Sequence, residues 1–204
     1  MIAILDYGSG NLRSAQKAFS STGEDVVITS DFKICSAAAG LVVPGVGAFQ
    51  SCMRGLKAVG GDEIIRERLT RARPTLGICV GMQILFAGGT EGLIEANSSN
   101  LQPGVGIWPG TIEKLSAPIL PHMGWNEVSP PFESKLFQGI ERESFYFVHS
   151  YAAKNSTVGQ ISWSEYGERF VAALEDTSIT ATQFHPEKSG RAGLALIENW
   201  IAML

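Results

Sequence analysis

The sequence predicts an α/β fold of three layers, a mostly parallel sheet flanked by helices, with an antiparallel extension in the second half. In the first part of the chain, short apolar runs alternate with segments of helical periodicity, the pattern of βαβ units. The apolar runs lack polar alternation and stop at glycine or proline, as strands buried on both faces do. Between residues 104 and 184 the segments are short, aromatic-rich and broken by Pro, Gly and Asn, which favours antiparallel or mixed strands.

The elements can be assigned in chain order. Four apolar runs predict the parallel strands, at residues 2–5, 26–28, 41–43 and 75–78. A helix is expected from Asn11, whose side chain can cap it, to Gly23. Helical spacing returns over residues 49–69 and breaks at a pair of glycines, and residues 192–204 predict a final helix docked on the sheet. This order of strands and helices is flavodoxin-like.

Composition limits the size and the partners of the chain. Its 204 residues are 45% hydrophobic and 18% charged, which fits one domain over residues 1–204 with a folded surface of roughly 9,300 Å². The net charge of −4, without a basic stripe, argues against a general nucleic-acid or anionic-membrane binder. The N-terminus lacks a signal-peptide pattern, and no apolar run reaches the ~18 residues of a membrane span. Three cysteines without a CxxC pair indicate free thiols and a cytoplasmic protein.

The segment G-I-C-V-G-M-Q at residues 77–83 carries the strongest indication of chemistry. A buried strand ends at Cys79 between small residues and a helix begins at once, which is the cysteine counterpart of a nucleophile elbow. The helix N-terminus favours the thiolate form of Cys79. The alternative is a small core cysteine at a strand end, which is how we interpret Cys35 and Cys52.

A thiolate nucleophile needs a proton carrier and an orienting carboxylate, and the triplet His185-Pro186-Glu187 offers both. Residues i and i+2 of an extended segment point to one side, and the proline restrains His185 toward the extended region. Glu187 can then accept from one ring nitrogen while the other faces Cys79. The alternative is a loop histidine beside a solvated glutamate.

A second glycine-rich loop, Pro44-Gly-Val-Gly47, follows another buried strand and is expected at the same sheet edge as Cys79. The N–H of Val46, with that of Val80, would form an oxyanion hole. A phosphate-binding loop is disfavoured because neither Gly8-Ser-Gly10 nor Gly45-Val-Gly47 completes G-x-G-x-x-G. Candidate zinc ligands lack a short paired spacing, so the sequence calls for neither a metal nor a cofactor.

Together these segments resemble the class I, triad-type glutamine amidotransferases, whose elbow reads G-x-C-x-G-M-Q and whose second signature is a late H-P-E. P-H-M-G-W-N at 121–126 and Y-F-V-H-S-Y at 146–151 are similar to the glutaminase subunits of imidazole glycerol phosphate synthase, and the resemblance runs from residue 1 to about 204. Two departures are slight: Val80 stands where leucine is frequent, and Gly190 where serine often follows E-K-S. Neither touches the triad.

The resemblance implies that Cys79 attacks the side-chain amide of glutamine, that His185 holds the transferred proton and that Glu187 orients the imidazole. The residues implied to bind the amino-acid end of glutamine are Gly47, Gln83, His149, Ser150 and Tyr151. The ammonia would pass to a (β/α)8-barrel cyclase subunit, which makes imidazole glycerol phosphate and aminoimidazole carboxamide ribonucleotide in histidine biosynthesis. The residues implied at the contact within this heterodimer are Met123, Trp125 and Lys188.

The resemblance also suggests a gate. Because glycine on both sides lets the Val46 peptide rotate, we expect its carbonyl to point inward at rest and to flip when the loaded cyclase docks.

Three other functions stay open on the sequence. A stand-alone cysteine hydrolase or peptidase could use the same elbow. A non-catalytic flavodoxin-like module could use the glycine loops for a small anion, in which case Cys79→Ala changes nothing. A glutaminase could instead serve the pyridoxal phosphate or anthranilate synthase.

Overall fold

The computed structural model describes residues 1–93 and 100–204. The elements of the first half are β1 (Ile2–Leu5), α1 (Leu12–Ser20), β2 (Val26–Thr29), α2 (Phe32–Ala37), β3 (Gly40–Gly45), α3 (Phe49–Ala58), α4 (Gly61–Thr70), β4 (Thr75–Cys79) and α5 (Val80–Gln83). Those of the second half are β5 (Phe86–Gly89), β6 (Gln102–Pro103), β7 (Trp108–Lys114), β8 (His122–Glu127), β9 (Ser144–His149), β10 (Tyr151–Ala153), β11 (Gln160–Tyr166), β12 (Glu168–Asp176), β13 (Ile179–Thr182) and α6 (Gly190–Ile201). A short 3-10 helix at Pro186–Lys188 precedes α6.

A seven-stranded sheet in the order β11-β12-β13-β4-β3-β1-β2 forms the centre of the molecule. The strands from β13 to β2 are parallel, and β12 and β11 complete the sheet in antiparallel fashion. Because β2 and β3 lie on opposite sides of β1, the loops after β1 and β3 diverge and open a crevice at the carboxyl edge. Gly45 of β3 pairs with Cys79 of β4, so the glycine loop and the cysteine meet there.

The helices fall into two groups. α1 packs against α6, whereas α2 and α3 pack against α4. Right-handed crossovers between the parallel strands place these groups on opposite faces of the sheet, which confirms the predicted α/β layers. β1, β3 and β4 are buried along their whole length, while β2 is only half-buried because it is the edge strand.

Helix boundaries follow local chemistry. Asn11 caps α1 by accepting from the N–H of Ser14 at 3.3 Å, as predicted. The expected break in the second helical segment falls at Gly60. Its φ of +66° is left-handed, so the backbone turns there between the end of α3 and the beginning of α4. α2 was not predicted, because six residues are too few to show a helical period.

The second half adds smaller sheets. β8 and β9 form an antiparallel ribbon, and β10, β7, β5 and β6 form a mixed sheet, which confirms the mixed extension. The accessible surface is 9305 Å², in agreement with the value expected from chain length. All three cysteines are free, and none of the described helices is long and apolar enough to cross a membrane.

The beginning of β4, the strand that ends at Cys79, is held by a buried arginine. Arg68 of α4 is 0% exposed and its Nε donates to Thr75 Oγ1 at 3.2 Å. Its guanidinium also donates to a set of backbone carbonyls, those of Cys35, Ser36, Ala38, Ala39 and Pro74. One side chain therefore satisfies the carbonyls at the end of α2 and the approach to β4.

Arg68→Met is expected to lower the free energy of unfolding by about 3 kcal/mol or more, because several buried carbonyls lose their partner at about 1–3 kcal/mol each. The matched control is Arg71→Met. Arg71 is exposed and pairs with Glu67 one helical turn away, so its loss is expected to cost at most about 1 kcal/mol. Urea unfolding of the three proteins measures the difference, and equal midpoints for both variants would contradict the structural role of Arg68.

Candidate active site

Cys79 occupies a strained turn between β4 and α5. Its φ of 57° and ψ of −115° are sparsely populated for a residue with a side chain. The turn depends on glycine: a Cβ at Gly77 would lie 2.8 Å from the carbonyl oxygen of Gly81, and one at Gly81 would overlap the carbonyl oxygen of Val43. The predicted elbow is therefore present, and its small residues let strand and helix pass each other.

His185 and Glu187 form a buried pair. His185 Nδ1 lies 2.8 Å from Glu187 Oε1, and the two side chains are only 2% and 4% exposed. His185 is extended, with φ of −104° and ψ of 96°, as predicted. The expectation that Glu187 continues an extended segment is wrong, because Pro186 begins the 3-10 helix and that turn brings the carboxylate back to the imidazole.

The surroundings of His185 favour its charged form. Burial lowers the pKa of His185, but Cys79 and Glu187 together outweigh burial and raise it to about 10. The Nε2 atom is buried and has no hydrogen-bond partner among residues 1–93 and 100–204. His185 can therefore act as the counterion of a Cys79 thiolate and present a proton on Nε2.

A cavity of about 480 Å³ opens beside the thiol. Most predicted site residues line it: Val46, Gly47, Cys79, Val80, Gln83, His149, Ser150, Tyr151, His185 and Lys188. Glu187 lies outside the lining, bonded to the far side of the imidazole. Met123 and Trp125 are not brought into the cavity either; they project from β8 with 62% and 59% of their surface exposed.

Known proteins with similar sequences establish the family. The family model for "Glutamine amidotransferase class-I" matches residues 3–203. The chain is 52% identical over 207 residues to the imidazole glycerol phosphate synthase subunit HisH of Mycolicibacterium paratuberculosis, covering 100% of this chain and 98% of the relative. The HisH subunit of Thermobifida fusca is 51% identical over 213 residues, again covering 100% and 98%. The chain belongs to the HisH family of class I glutamine amidotransferases.

Solved structures agree on the fold of the amidotransferase. A crystal structure of a glutamine amidotransferase aligns with a TM-score of 0.74 at 17% identity, covering 98% of each chain. A chain of the PurLQS structure from Thermotoga maritima aligns with a TM-score of 0.70 at 16% identity, covering 99% of this chain and 97% of the other. The resemblance inferred from the motifs is confirmed at the level of the family.

The Val46 peptide of the amidotransferase is held from outside the cavity. The N–H of Val46 donates to Ser9 Oγ at 3.0 Å, and its carbonyl accepts from Ser9 Oγ at 2.9 Å and from Cys52 Sγ at 3.3 Å. The N–H and the carbonyl of Val46 belong to two successive peptide groups, and the carbonyl that shares a peptide with the N–H is that of Gly45. The expected inward carbonyl at rest and its flip therefore stay a prediction. The oxyanion role of Val46 stays a prediction that requires its N–H to leave Ser9. Val80 begins α5, where the first N–H groups of a helix lack partners within the helix.

The ring of His149 is bound within the protein. A backbone carbonyl only accepts, so His149 Nδ1 donates to the Tyr151 oxygen at 3.0 Å and Nε2 accepts from His122 Nδ1 at 3.0 Å. Burial lowers the pKa of His149 to about 3 and that of His122 to about 4, so both rings are neutral. His149 therefore offers a ligand its backbone rather than its imidazole.

The side-chain NH2 group of Gln83 is also hydrogen-bonded within the protein. Its Nε2 donates to the Tyr151 carbonyl at 2.8 Å and to Gln183 Oε1 at 3.0 Å. With both N–H groups in use, Oε1 of Gln83 is the atom that can accept from a ligand.

Sequence reasoning missed several residues of the site. Additional cavity residues are Ala48, Glu91, Pro121 and Val148. Glu91 accepts from the N–H of Phe49 at 2.7 Å and follows β5 in a segment without a motif. Gln183 is buried at the edge of the site, and its position two residues before His185 could have indicated it, since alternate residues of an extended segment share a side.

Proposed function

We propose that this amidotransferase hydrolyses glutamine to glutamate and ammonia through a triad of Cys79, His185 and Glu187. It serves as the glutaminase subunit of imidazole glycerol phosphate synthase, in histidine biosynthesis, as the names of its HisH relatives indicate. The proposal rests on one arrangement, the His185–Glu187 bond of 2.8 Å beside a strained cysteine at a common cavity. One domain over residues 1–204 performs this chemistry, in the cytoplasm.

Cys79 Sγ, as the thiolate, attacks the amide carbon of glutamine, and the oxyanion forms against the N–H groups of Val80 and of a released Val46. His185 gives its Nε2 proton to the departing nitrogen, which leaves as ammonia while a glutamyl thioester stays on Cys79. Water then gives a proton to Nε2 and its oxygen attacks the thioester carbon. The thiolate departs, glutamate is released, and Glu187 stabilises each imidazolium stage.

The substrate fits the cavity by size and polarity. A volume of about 480 Å³ lies within the usual range for small-ligand sites, and polar residues such as Gln83, Ser150 and Lys188 line it. Gly47, with φ of +84°, exposes its peptide groups without a side chain. Together with Gln83 Oε1 and the backbone of residues 149–151, it would hold the amino-acid end of glutamine.

The cyclase subunit would dock beside the cavity mouth. Met123 pairs across the β8–β9 ribbon with Val148, a cavity residue, so the exposed Met123 and Trp125 adjoin the site. Ile119, 71% exposed, lies two residues before Pro121, another cavity residue. Contiguous exposed apolar side chains mark interaction surfaces, and Trp and Met are enriched at their centres. Lys188 is exposed and also lines the cavity, so it would lie at the edge of a contact with the (β/α)8-barrel cyclase.

Trp125→Ser is expected to weaken cyclase binding by about 30-fold or more, because a central tryptophan commonly contributes at least about 2 kcal/mol to an interface. Titration calorimetry with the purified cyclase measures the affinity. Glutamine-dependent synthesis should also fall when the cyclase concentration is below saturation. Leu204→Ser is the matched control. Leu204 is an exposed apolar residue beside Gly40, the first residue of β3, so it lies at the amino ends of the parallel strands and away from the cavity. Unchanged affinity in Trp125→Ser would exclude this docking face, and no synthesis with the wild-type pair would refute the proposed function.

A further inference from the structure

The sheet register brings a buried amide to the Cys79 sulfur. Thr182 of β13 pairs with Ile78 of β4, so the next residues of these parallel strands, Gln183 and Cys79, stand beside each other. Gln183 is 1% exposed, its main chain is fixed by a 2.7 Å bond from its N–H to Ala172, and its Nε2 lies 3.8 Å from Cys79 Sγ. The sulfur therefore has an amide donor as a neighbour in addition to His185.

A sequence of hydrogen bonds determines which end of the Gln183 amide faces the sulfur. The Tyr151 carbonyl only accepts, so the group that Gln83 directs to it is its NH2, at 2.8 Å. The same nitrogen donates to Gln183 at 3.0 Å, which must therefore present its oxygen there. The remaining end of the Gln183 amide is its NH2, and this group faces Cys79.

We propose that Gln183 stabilises the Cys79 thiolate by donating an amide N–H to its sulfur, with Gln83 fixing the orientation of the amide. A hydrogen bond to a charged acceptor is stronger than one to a neutral thiol, so the contact favours ionisation and strengthens as the thiolate forms. It also favours departure of the thiolate when the thioester is hydrolysed. This inference deepens the proposed glutaminase, but the ionisation of Cys79 can be measured without glutamine or cyclase.

The test is the pH dependence of Cys79 alkylation by iodoacetamide, followed at that residue by peptide mass spectrometry. Gln183→Met keeps the length of the side chain and removes the amide, and the alkylation midpoint is expected to rise by about one pH unit. The rate at high pH should stay unchanged, because access to the thiol is the same. Titratable groups near the thiol stay in place in this variant: Tyr7, Cys52, Glu91, His149, His185, Glu187 and Lys188.

Two further variants keep the outcome decisive. Gln183→Glu is nearly isosteric and replaces the donor with an acceptor that repels a thiolate, so its midpoint is expected to rise more than that of Gln183→Met. Gln16→Met is the matched control, because the Gln16 amide donates to the Val26 carbonyl at 3.2 Å and accepts from Arg13, both away from the site. Profiles of Gln183→Met and Gln183→Glu that superimpose on that of the native protein would overturn the inference. If Gln183→Met does not fold, the Gln183→Glu profile alone decides.

Loss of glutaminase activity with an unchanged alkylation midpoint would likewise contradict the role of Gln183. A shifted alkylation midpoint in a chain without glutaminase activity would refute only the proposed function.

Discussion

Cys79→Ala is expected to abolish glutamine-driven synthesis by the complex with the cyclase, by at least about 10⁴-fold, while synthesis from added ammonium salt persists. Among the residues that the structure describes, Cys79 is the only cysteine that lines the cavity, and alanine removes the nucleophile without adding bulk to the strained turn. Synthesis from ammonium salt does not need the glutaminase step, so it measures the activity of the cyclase and the integrity of its contact with this chain. Product formation from each nitrogen source, with the cyclase substrate saturating, measures both quantities.

The control for Cys79→Ala is Cys35→Ala. Cys35 is equally buried, but its Sγ contacts the Thr29 carbonyl at 3.6 Å and does not line the cavity. The rates of synthesis from glutamine and from ammonium salt should both equal those of the native chain. If ammonium-driven synthesis disappears with glutamine-driven synthesis in Cys79→Ala, the cysteine is structural; if glutamine-driven synthesis persists, another group is the nucleophile.

Glu187→Gln is expected to reduce kcat for glutamine by about 10³- to 10⁴-fold, the range seen when an orienting carboxylate of a catalytic triad becomes an amide. An amide NH2 facing His185 Nδ1 would favour the wrong tautomer. Loss of the negative charge also removes one of the two contributions that raise the pKa of His185. The imidazolium is then lost at lower pH, so the alkaline limb of the rate profile, expected near pH 10, should move to lower pH.

The pH–rate profile of kcat/KM and an NMR titration of His185 measure the effect of Glu187→Gln. Glu141→Gln is the control, because Glu141 is exposed and accepts from the N–H of Gly139 in its own loop. An activity within a factor of ten of the native enzyme, or an unshifted alkaline limb, would exclude the orienting role.

The parallel half of the fold could be predicted because its strands are continuous apolar runs. β1, β3 and β4 are buried throughout, and their apolar runs without polar alternation predict that burial. The place of β13 could not be predicted: besides β12, its neighbour along the chain, it pairs with β4, which lies far earlier in the sequence. Such pairing is decided by tertiary packing, and a short element such as α2 likewise depends on its neighbours rather than on its own period.

The elbow and the His-Pro-Glu triplet could be found from local patterns, since glycine spacing and the X-Pro restraint act within a few residues. The turn that brings Glu187 to His185, the Ser9 contact of Val46 and the position of Gln183 depend on tertiary structure. They could not be read from spacing alone. The contacts of Val46 with Ser9 and of Gln183 with Cys79 join segments that are far apart in the chain, and each depends on the register of the sheet strands that precede them.

The central claim is that Cys79 forms a covalent bond to the substrate carbon, and a chloroketone analogue of glutamine tests it most directly. The protein, in complex with cyclase and its substrate, is treated with the analogue and mapped by peptide mass spectrometry. One adduct per chain is expected, on Cys79, with Cys35 and Cys52 unmodified and with excess glutamine protecting the site. The absence of an adduct, or an adduct on either other cysteine with Cys79 free, would contradict the assignment.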